Sequence, residues 1–204
     1  MFITFEGIDF CGKSTQVKLL KDSLINDNKK VKLIREPGGT HISEEIRDIL
    51  LDKKNSGMFE ETELLLFSAS RTQLINEVII PHLEKGVYVI SDRFHDSLTA
   101  YQGYGRGLSM GFIKVLNKFV LKNAVPDITF FIDISLEEVA RRKANMQLFE
   151  PDRIELSQNG FYEKVRQGYL ELCESEERII RIDGENPVEE IHRQIMDKVT
   201  LFRK

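Results

Sequence analysis

The sequence predicts an α/β protein, a five-stranded parallel sheet with helices on both faces and a short lid. Three observations carry that prediction. Short β-branched or aromatic runs alternate along the whole chain with longer helical stretches, the pattern of strands joined by right-handed crossovers. The first apolar run leads directly into Gly7-Ile8-Asp9-Phe10-Cys11-Gly12-Lys13-Ser14, which has the spacing G-x-x-x-x-G-K-[ST] of a phosphate-binding loop. Polar and charged residues suited to binding then recur just past the carboxyl ends of the strands, where open parallel sheets hold their ligands.

In chain order, strands are expected over 2–5, 31–34, 87–90, 128–132 and 179–182. Helices are expected over 13–24, 43–51, 61–83, 111–122, 136–143, 161–176 and 188–201. With 204 residues and neither repeat nor linker, the chain reads as a single domain over 1–204. Apolar residues make up 41% and charged residues 30%, an ordinary balance for a soluble globular protein. The 33 acidic and 29 basic residues give a net charge of −4, which argues against nucleic acid or a membrane surface as partner. Two cysteines, Cys11 and Cys173, cannot form a disulfide framework, and Met1 runs straight into the first strand. A reducing cytoplasm without a cleavable signal is therefore expected. The four histidines lack metal-ligand spacing.

The phosphate loop has a mechanical reading. Its glycines let the backbone wrap a phosphate, Lys13 supplies a point charge toward the outer phosphates, and the Ser14 hydroxyl is placed for Mg²⁺. Gly7, Ile8, Asp9, Phe10, Cys11, Gly12, Lys13, Ser14 and Thr15 are thus the candidate ATP-binding residues, at the positive end of the first helix. The second strand ends in Arg35-Glu36-Pro37-Gly38-Gly39, the third in Ser91-Asp92-Arg93 and the fifth in Asp183-Gly184. Asp92 stands where a P-loop protein carries its magnesium-side carboxylate, with capping of the next helix as the alternative. Arg93 is an unpaired cation at a strand end unless it grips an anion. Tyr101–Gly107 is rich in glycine and reads as a mobile loop over an acceptor pocket. The segment 141–153 leaves a helix with three consecutive cations, which either answer the helix dipole or belong to a closing lid.

Taken together, these residues make the chain resemble the thymidylate kinases, in the nucleoside-monophosphate kinase group of P-loop proteins. The likeness runs end to end through Phe5-Glu-Gly-Ile-Asp, Arg35-Glu-Pro-Gly-Gly-Thr40, Phe67-Ser-Ala-Ser-Arg71, Asp92-Arg93-Phe94, Ala100-Tyr-Gln-Gly103, Pro126-Asp127 and Asp152-Arg-Ile-Glu155. The resemblance implies a P-loop kinase fold, ATP and thymidine monophosphate as substrates, Mg²⁺ as cofactor and a homodimer. It implies that Phe67 stacks on the thymine ring and that Arg71, one helical turn on, hydrogen-bonds the base edge. Ser97 and Gln102 become further polar contacts to the base, and Tyr101 the residue that crowds the sugar's 2′ position. Asp9 engages the 3′-hydroxyl or a metal-bound water. Arg93, with Arg47 and beside Pro37, holds the acceptor phosphate. Catalysis falls to Lys13, Arg93, Asp92 and Arg141, with Ser14 and Asp92 at the metal.

Two features depart from the family pattern. Phe10 and Cys11 stand where bacterial members usually carry small residues, and the loop lacks the arginine that another branch places there. The lid also lacks an Arg-Gly turn. Charge for the migrating phosphoryl group must then come from the lid, with Arg141 the leading candidate and Arg142, Lys143 and Arg153 the others. Arg142 and Lys143 point roughly 100° and 200° further around the helix, so not all three can face one site. Two rivals stay open: another P-loop kinase of deoxynucleotides or nucleosides, and a P-loop switch or motor ATPase, against which Asp92-Arg93 in place of Asp-Glu speaks.

Overall fold

All five expected strands form, each within a residue or two of its predicted bounds, and every pairing is parallel. They are β1 (Phe2–Glu6), β2 (Val31–Arg35), β3 (Tyr88–Asp92), β4 (Ile128–Asp133) and β5 (Ile179–Asp183), ordered β2-β3-β1-β4-β5. This computed structural model describes residues 1–144, 152–154, 156 and 160–202. Of the predicted lid, 145–151 lie outside the described residues.

Burial on both faces explains why the strands read as apolar runs rather than as alternating ones. Ile3 and Phe5 enter one hydrophobic cluster with Phe130, Tyr169 and Ile191, while Phe2 enters a second with Ile34, Val89 and Phe94. Neighbouring residues of a strand point to opposite faces, so both faces of the sheet carry core, and the first cluster reaches both because the adjacent Phe130 and Phe131 belong to it. The register sets Phe5 beside Asp92 on one side and Phe130 on the other. The carboxyl ends of β1 and β3 are thereby side by side.

The helices are α1 (Lys13–Asn26), α2 (His41–Leu51), α3 (Glu60–Leu74), α4 (Ile80–Glu84), α5 (His95–Leu98), α6 (Met110–Leu121), α7 (Leu136–Ala144), α8 (Phe161–Ser175) and α9 (Val188–Leu201). Thr40 caps α2, its hydroxyl accepting from the Ser43 amide at 3.2 Å, which starts that helix two residues earlier than predicted.

Two expectations are revised. The helix expected over 61–83 forms without a break from Glu60 to Glu84, but its winding widens into a π-helical turn over Ile75–Ile79 between α3 and α4. Pro81 has no amide hydrogen to donate into a regular helix, and the widened turn precedes it. The tract 101–107 is not a mobile loop. Thr99–Gly105 form a second π-helical turn continuous with α5, and Tyr101, Gln102 and Gly103 are buried. The glycines serve close packing here. A Cβ on Gly103 would stand 2.5 Å from the Met110 sulfur, and one on Gly105 would stand 2.6 Å from the Phe161 ring.

Candidate active site

The phosphate loop closes on itself through its own lysine. Lys13 Nζ donates to the Gly7 and Ile8 carbonyls, both at 3.0 Å, and lies 3.7 Å from the Cys11 sulfur. The loop therefore encloses a buried cation. Gly7, at φ 141°, is obligatory: a Cβ there would meet the Ile132 carbonyl oxygen at 2.5 Å. Phe10 takes the left-handed region at φ 67°, a conformation that costs a non-glycine residue some energy and recurs at functional loops. Ile8 and Cys11 point into the core, so they shape the loop from beneath.

The basic helix α7 does reach this loop, but with Arg142. Its guanidinium donates to the Phe10 carbonyl at 3.0 Å, the Gly184 carbonyl at 2.8 Å and Glu138 at 2.6 Å. Arg141, the expected donor of catalytic charge, turns outward. Its side chain is 67% exposed and held bidentately by Glu138, one helical turn back, at 2.6 Å. The helical period decides this, since only one of two consecutive residues can face the loop.

Past β3, the Asp92 carboxylate accepts from the Ser14 hydroxyl at 2.8 Å. Asp92 is not a helix cap: α5 begins after Phe94 with no side-chain cap. Arg93, read from sequence as unpaired, is partnered within the protein. It donates to the Gly7 carbonyl at 2.8 Å and to Asp9 at 2.6 Å, and it lies over the Tyr101 ring at 5.0 Å. Its backbone is left-handed, φ 68°, and is pinned by the Ser91 hydroxyl on its carbonyl and by its own amide on Phe5. Burial pushes the Asp9 carboxyl up, but the charges of Arg93 and Lys13 outweigh it and hold the group below its ordinary range.

Beneath Arg93 sits a carboxylate to which sequence reasoning gave no role. Glu6, fully buried at the end of β1, accepts from the Phe94 amide at 2.8 Å, the Ser97 hydroxyl at 2.5 Å and the Tyr169 hydroxyl at 2.8 Å. Burial, with Asp96 nearby, pushes its pKa up to about 7 against the pull of Arg93. The folded state thus binds this proton more tightly than the unfolded chain. Its stabilisation is full below about pH 4.5 and lost as pH rises through about 7. His95 acts oppositely: burial pushes it down to about 4, so its contribution is present above about 6.5 and lost toward acid. Comparing wild type with Glu6→Gln isolates the first effect. Wild-type melting temperature is expected to fall relative to the variant between about pH 4.5 and 7. A difference that stays flat across that window contradicts the assignment.

The wall opposite the phosphate loop centres on a buried ion pair. Arg71 on α3, 2% exposed, donates through Nε to Glu36 at 2.7 Å, with its Nη2 2.6 Å from the same oxygen. Among the described residues, Arg71 Nη1 and Glu36 Oε1 have no hydrogen-bond partner although both are buried. Such orphaned groups are costly unless a ligand completes them. The Pro37 carbonyl, after the cis Glu36–Pro37 bond, accepts from both Arg35 and Arg47 at 2.8 Å. Gln102 donates to Glu63 at 2.9 Å.

One cavity of about 640 Å³ joins the two sides. Every candidate residue lines it except Gly7, Ile8, Cys11 and the basic residues Arg141, Arg142, Lys143 and Arg153, and Glu36 lines it too. The signal for Glu6 was in the sequence, a carboxylate ending the apolar strand β1, where a charge must be partnered; Glu36 follows directly on the end of β2.

Comparison with known proteins agrees with this geometry. The thymidylate kinase family model matches residues 5–195. A thymidylate kinase of Kosmotoga olearia is 47% identical over 100% of this chain and 97% of its own. One from Thermosipho melanesiensis is 50% identical, covering 96% and 95%. The chain belongs to the thymidylate kinase family. The crystal structure of thymidylate kinase from Ehrlichia chaffeensis matches with a TM-score of 0.79 at 36% identity, over 98% of both chains. As a family member the chain is a phosphotransferase, and the cavity that unites the phosphate loop with the Phe67–Arg71 wall is its candidate active site.

Proposed function

We propose that this kinase transfers the γ-phosphoryl group of ATP to the phosphate of thymidine monophosphate within that cavity. Family membership supports the reaction, and the observation that carries the site is the continuity of the cavity from Lys13 to the half-satisfied Arg71–Glu36 pair. ATP phosphates take the loop from Gly7 to Thr15. The thymine ring stacks on Phe67, and Arg71, Ser97 and Gln102 offer its polar edge hydrogen bonds. Tyr101 fills the space beside the sugar's 2′ carbon, and Asp9 faces the 3′-hydroxyl. Arg93 and Arg47, beside Pro37, hold the acceptor phosphate.

The chemistry asks little of the protein beyond alignment and charge. A phosphate monoester with a second pKa of about 6 is already a dianionic nucleophile near neutrality, so no general base is needed. Its oxygen bonds to the γ-phosphorus as the bond to the β–γ bridging oxygen breaks, releasing ADP. Lys13 and Arg93 meet the charge on the migrating group. The Ser14 hydroxyl and Asp92 carboxylate, 2.8 Å apart, are the hard oxygen donors a magnesium ion takes alongside substrate phosphates. Bound there, the ion would neutralise phosphate charge. Arg142 in place of Arg141 supports the loop from α7. Arg142→Ala is expected to lower kcat about tenfold, near the worth of one charge-assisted hydrogen bond of about 1.5 kcal/mol. Arg141→Ala should change kcat less than twofold. Steady-state kinetics on both variants checks this, and the reverse ranking contradicts it.

We also propose a homodimer, supported by a stripe on α6. Phe112, Val115 and Phe119 recur at helical spacing and are exposed, Phe119 by 76%. Phe119→Glu is expected to shift the sedimentation coefficient from dimer to monomer, and an unchanged value removes this face from consideration. The two free cysteines, Cys11 and Cys173, support a cytoplasmic location. The test of the function itself is ADP formation by purified protein with ATP and Mg²⁺. It should depend on thymidine monophosphate, and acceptor-independent hydrolysis at a similar rate would favour a P-loop ATPase.

A further inference from the structure

We infer that Glu63, which does not line the cavity, is a positioning residue that fixes two of the cavity's walls at once. Its carboxylate lies on α3 and is 1% exposed. Three side chains from two other parts of the chain converge on it. Gln102 donates to Oε1 at 2.9 Å; Arg106 donates through Nε to Oε1 at 3.1 Å and through Nη2 to Oε2 at 3.2 Å; Arg153 pairs with Oε2 at 2.7 Å.

Gln102 and Arg106 both belong to the tract of the second π-helical turn, on which Tyr101 and Gln102 face the cavity. Arg106 is further fixed over the Phe161 ring at 4.6 Å. Arg153 stands between Asp152 and Ile154, which also face the cavity, and its own group is buried. It is tied to α2 as well, donating through Nε to the Leu50 carbonyl at 2.7 Å and through its amide to the Leu51 carbonyl at 3.3 Å. One carboxylate therefore anchors the wall that carries Gln102 and the wall that carries Asp152 and Ile154.

Chemistry makes that anchor hard to replace. Two guanidinium groups share a single buried charge, so the carboxylate is held ionised and points its remaining lone pair at an amide. The Gln102 side chain is thereby fixed with its Nε2 on Glu63, which leaves its oxygen as the acceptor toward the cavity. A glutamine free to flip could present donor or acceptor to a base. Held this way it spends one Nε2 hydrogen on Glu63 and keeps its oxygen as an acceptor, which suits a ligand edge that carries an N–H. Glu63 thus tunes acceptor recognition from outside the cavity, through a neighbour, and leaves the ATP side untouched.

The inference rests on the reading that Gln102 contacts the acceptor, and the test separates the two. Glu63→Asp keeps the negative charge but withdraws the carboxylate from Gln102, Arg106 and Arg153 alike by about one C–C bond, 1.5 Å. The expected result is a rise of at least fivefold in KM for thymidine monophosphate, with kcat and the KM for ATP within twofold of wild type. In a Gln102→Ala background the same change should be nearly silent, within twofold, because the residue through which it acts is gone. Thermal melting of all four proteins reports folding independently. A loss of melting temperature in Glu63→Asp with unchanged acceptor KM overturns the inference and leaves Glu63 as a structural ion-pair partner. Equal effects of Glu63→Asp with and without Gln102 also overturn it. Should Gln102→Ala itself leave the acceptor KM unchanged, the assignment of Gln102 falls and the inference with it.

Discussion

Lys13→Ala is expected to lower kcat by about 10²–10³-fold, the usual loss when one preorganised electrostatic contact to developing charge is removed. The structure adds a second consequence. The ammonium bridges the Gly7 and Ile8 carbonyls from a buried position, so the variant also loses two charge-assisted hydrogen bonds inside the loop. A modest fall in melting temperature should accompany the kinetic loss, because loop carbonyls of this kind can turn to water once the lysine is gone. The two effects are separable. Lys13→Met keeps most of the apolar stem and should recover much of the stability but none of the turnover. Near-normal turnover in either variant, measured as ADP formation at saturating substrates, would show that this loop is not the catalytic one.

Arg71→Ala carries the largest expected effect on stability. The residue is 2% exposed and paired with an equally buried Glu36, so its loss leaves an uncompensated carboxylate. Breaking a buried pair from one side costs about 3–5 kcal/mol. Burial already pushes the Glu36 carboxyl up, against the charge of Arg71, and without that charge it will protonate more readily. The single variant therefore confuses folding with binding. The double variant Arg71→Ala, Glu36→Gln removes the stranded charge. It is expected to recover a substantial part of the stability, by denaturant titration, while the KM for thymidine monophosphate stays raised at least tenfold and that for ATP stays near wild type. If acceptor KM recovers together with stability, Arg71 has no role in the base pocket beyond packing.

How far the sequence could be read depended on the range of the signal. The strands and the phosphate loop are local patterns, and both were legible: Phe2–Glu6 leads into Gly7–Ser14 as strand into loop, and five apolar runs became five parallel strands. Asp92 and Arg93 were legible as strand-end residues, whereas Phe67 and Arg71 came from the family resemblance, with which their helical spacing agrees; all four line one cavity. What failed was of two kinds. Glycine in Tyr101–Gly107 looked like mobility, yet Gly103 and Gly105 are small because Met110 and Phe161 press against them. That cause lies in packing against another helix, α6 or α8, so composition could not reveal it. Arg141 and Arg142 are adjacent in sequence and equal in charge, and only the rotation of α7 relative to Phe10 separates them. Glu63 gave no warning at all, because its partners lie 39, 43 and 90 residues away.

On the proposed function, one cavity takes ATP at the phosphate loop and thymidine monophosphate at the Phe67–Arg71 wall. The most direct measurement is kcat/KM for a panel of acceptors under identical ATP and Mg²⁺: thymidine monophosphate, thymidine, dCMP, AMP and GMP. A site whose buried polar groups are completed by one base edge should discriminate strongly against acceptors that leave them unpaired. The predicted result is a preference for thymidine monophosphate of at least about 10²-fold over every other member of the panel. Comparable values for dCMP, AMP or GMP, or a faster reaction with thymidine than with its monophosphate, would contradict it.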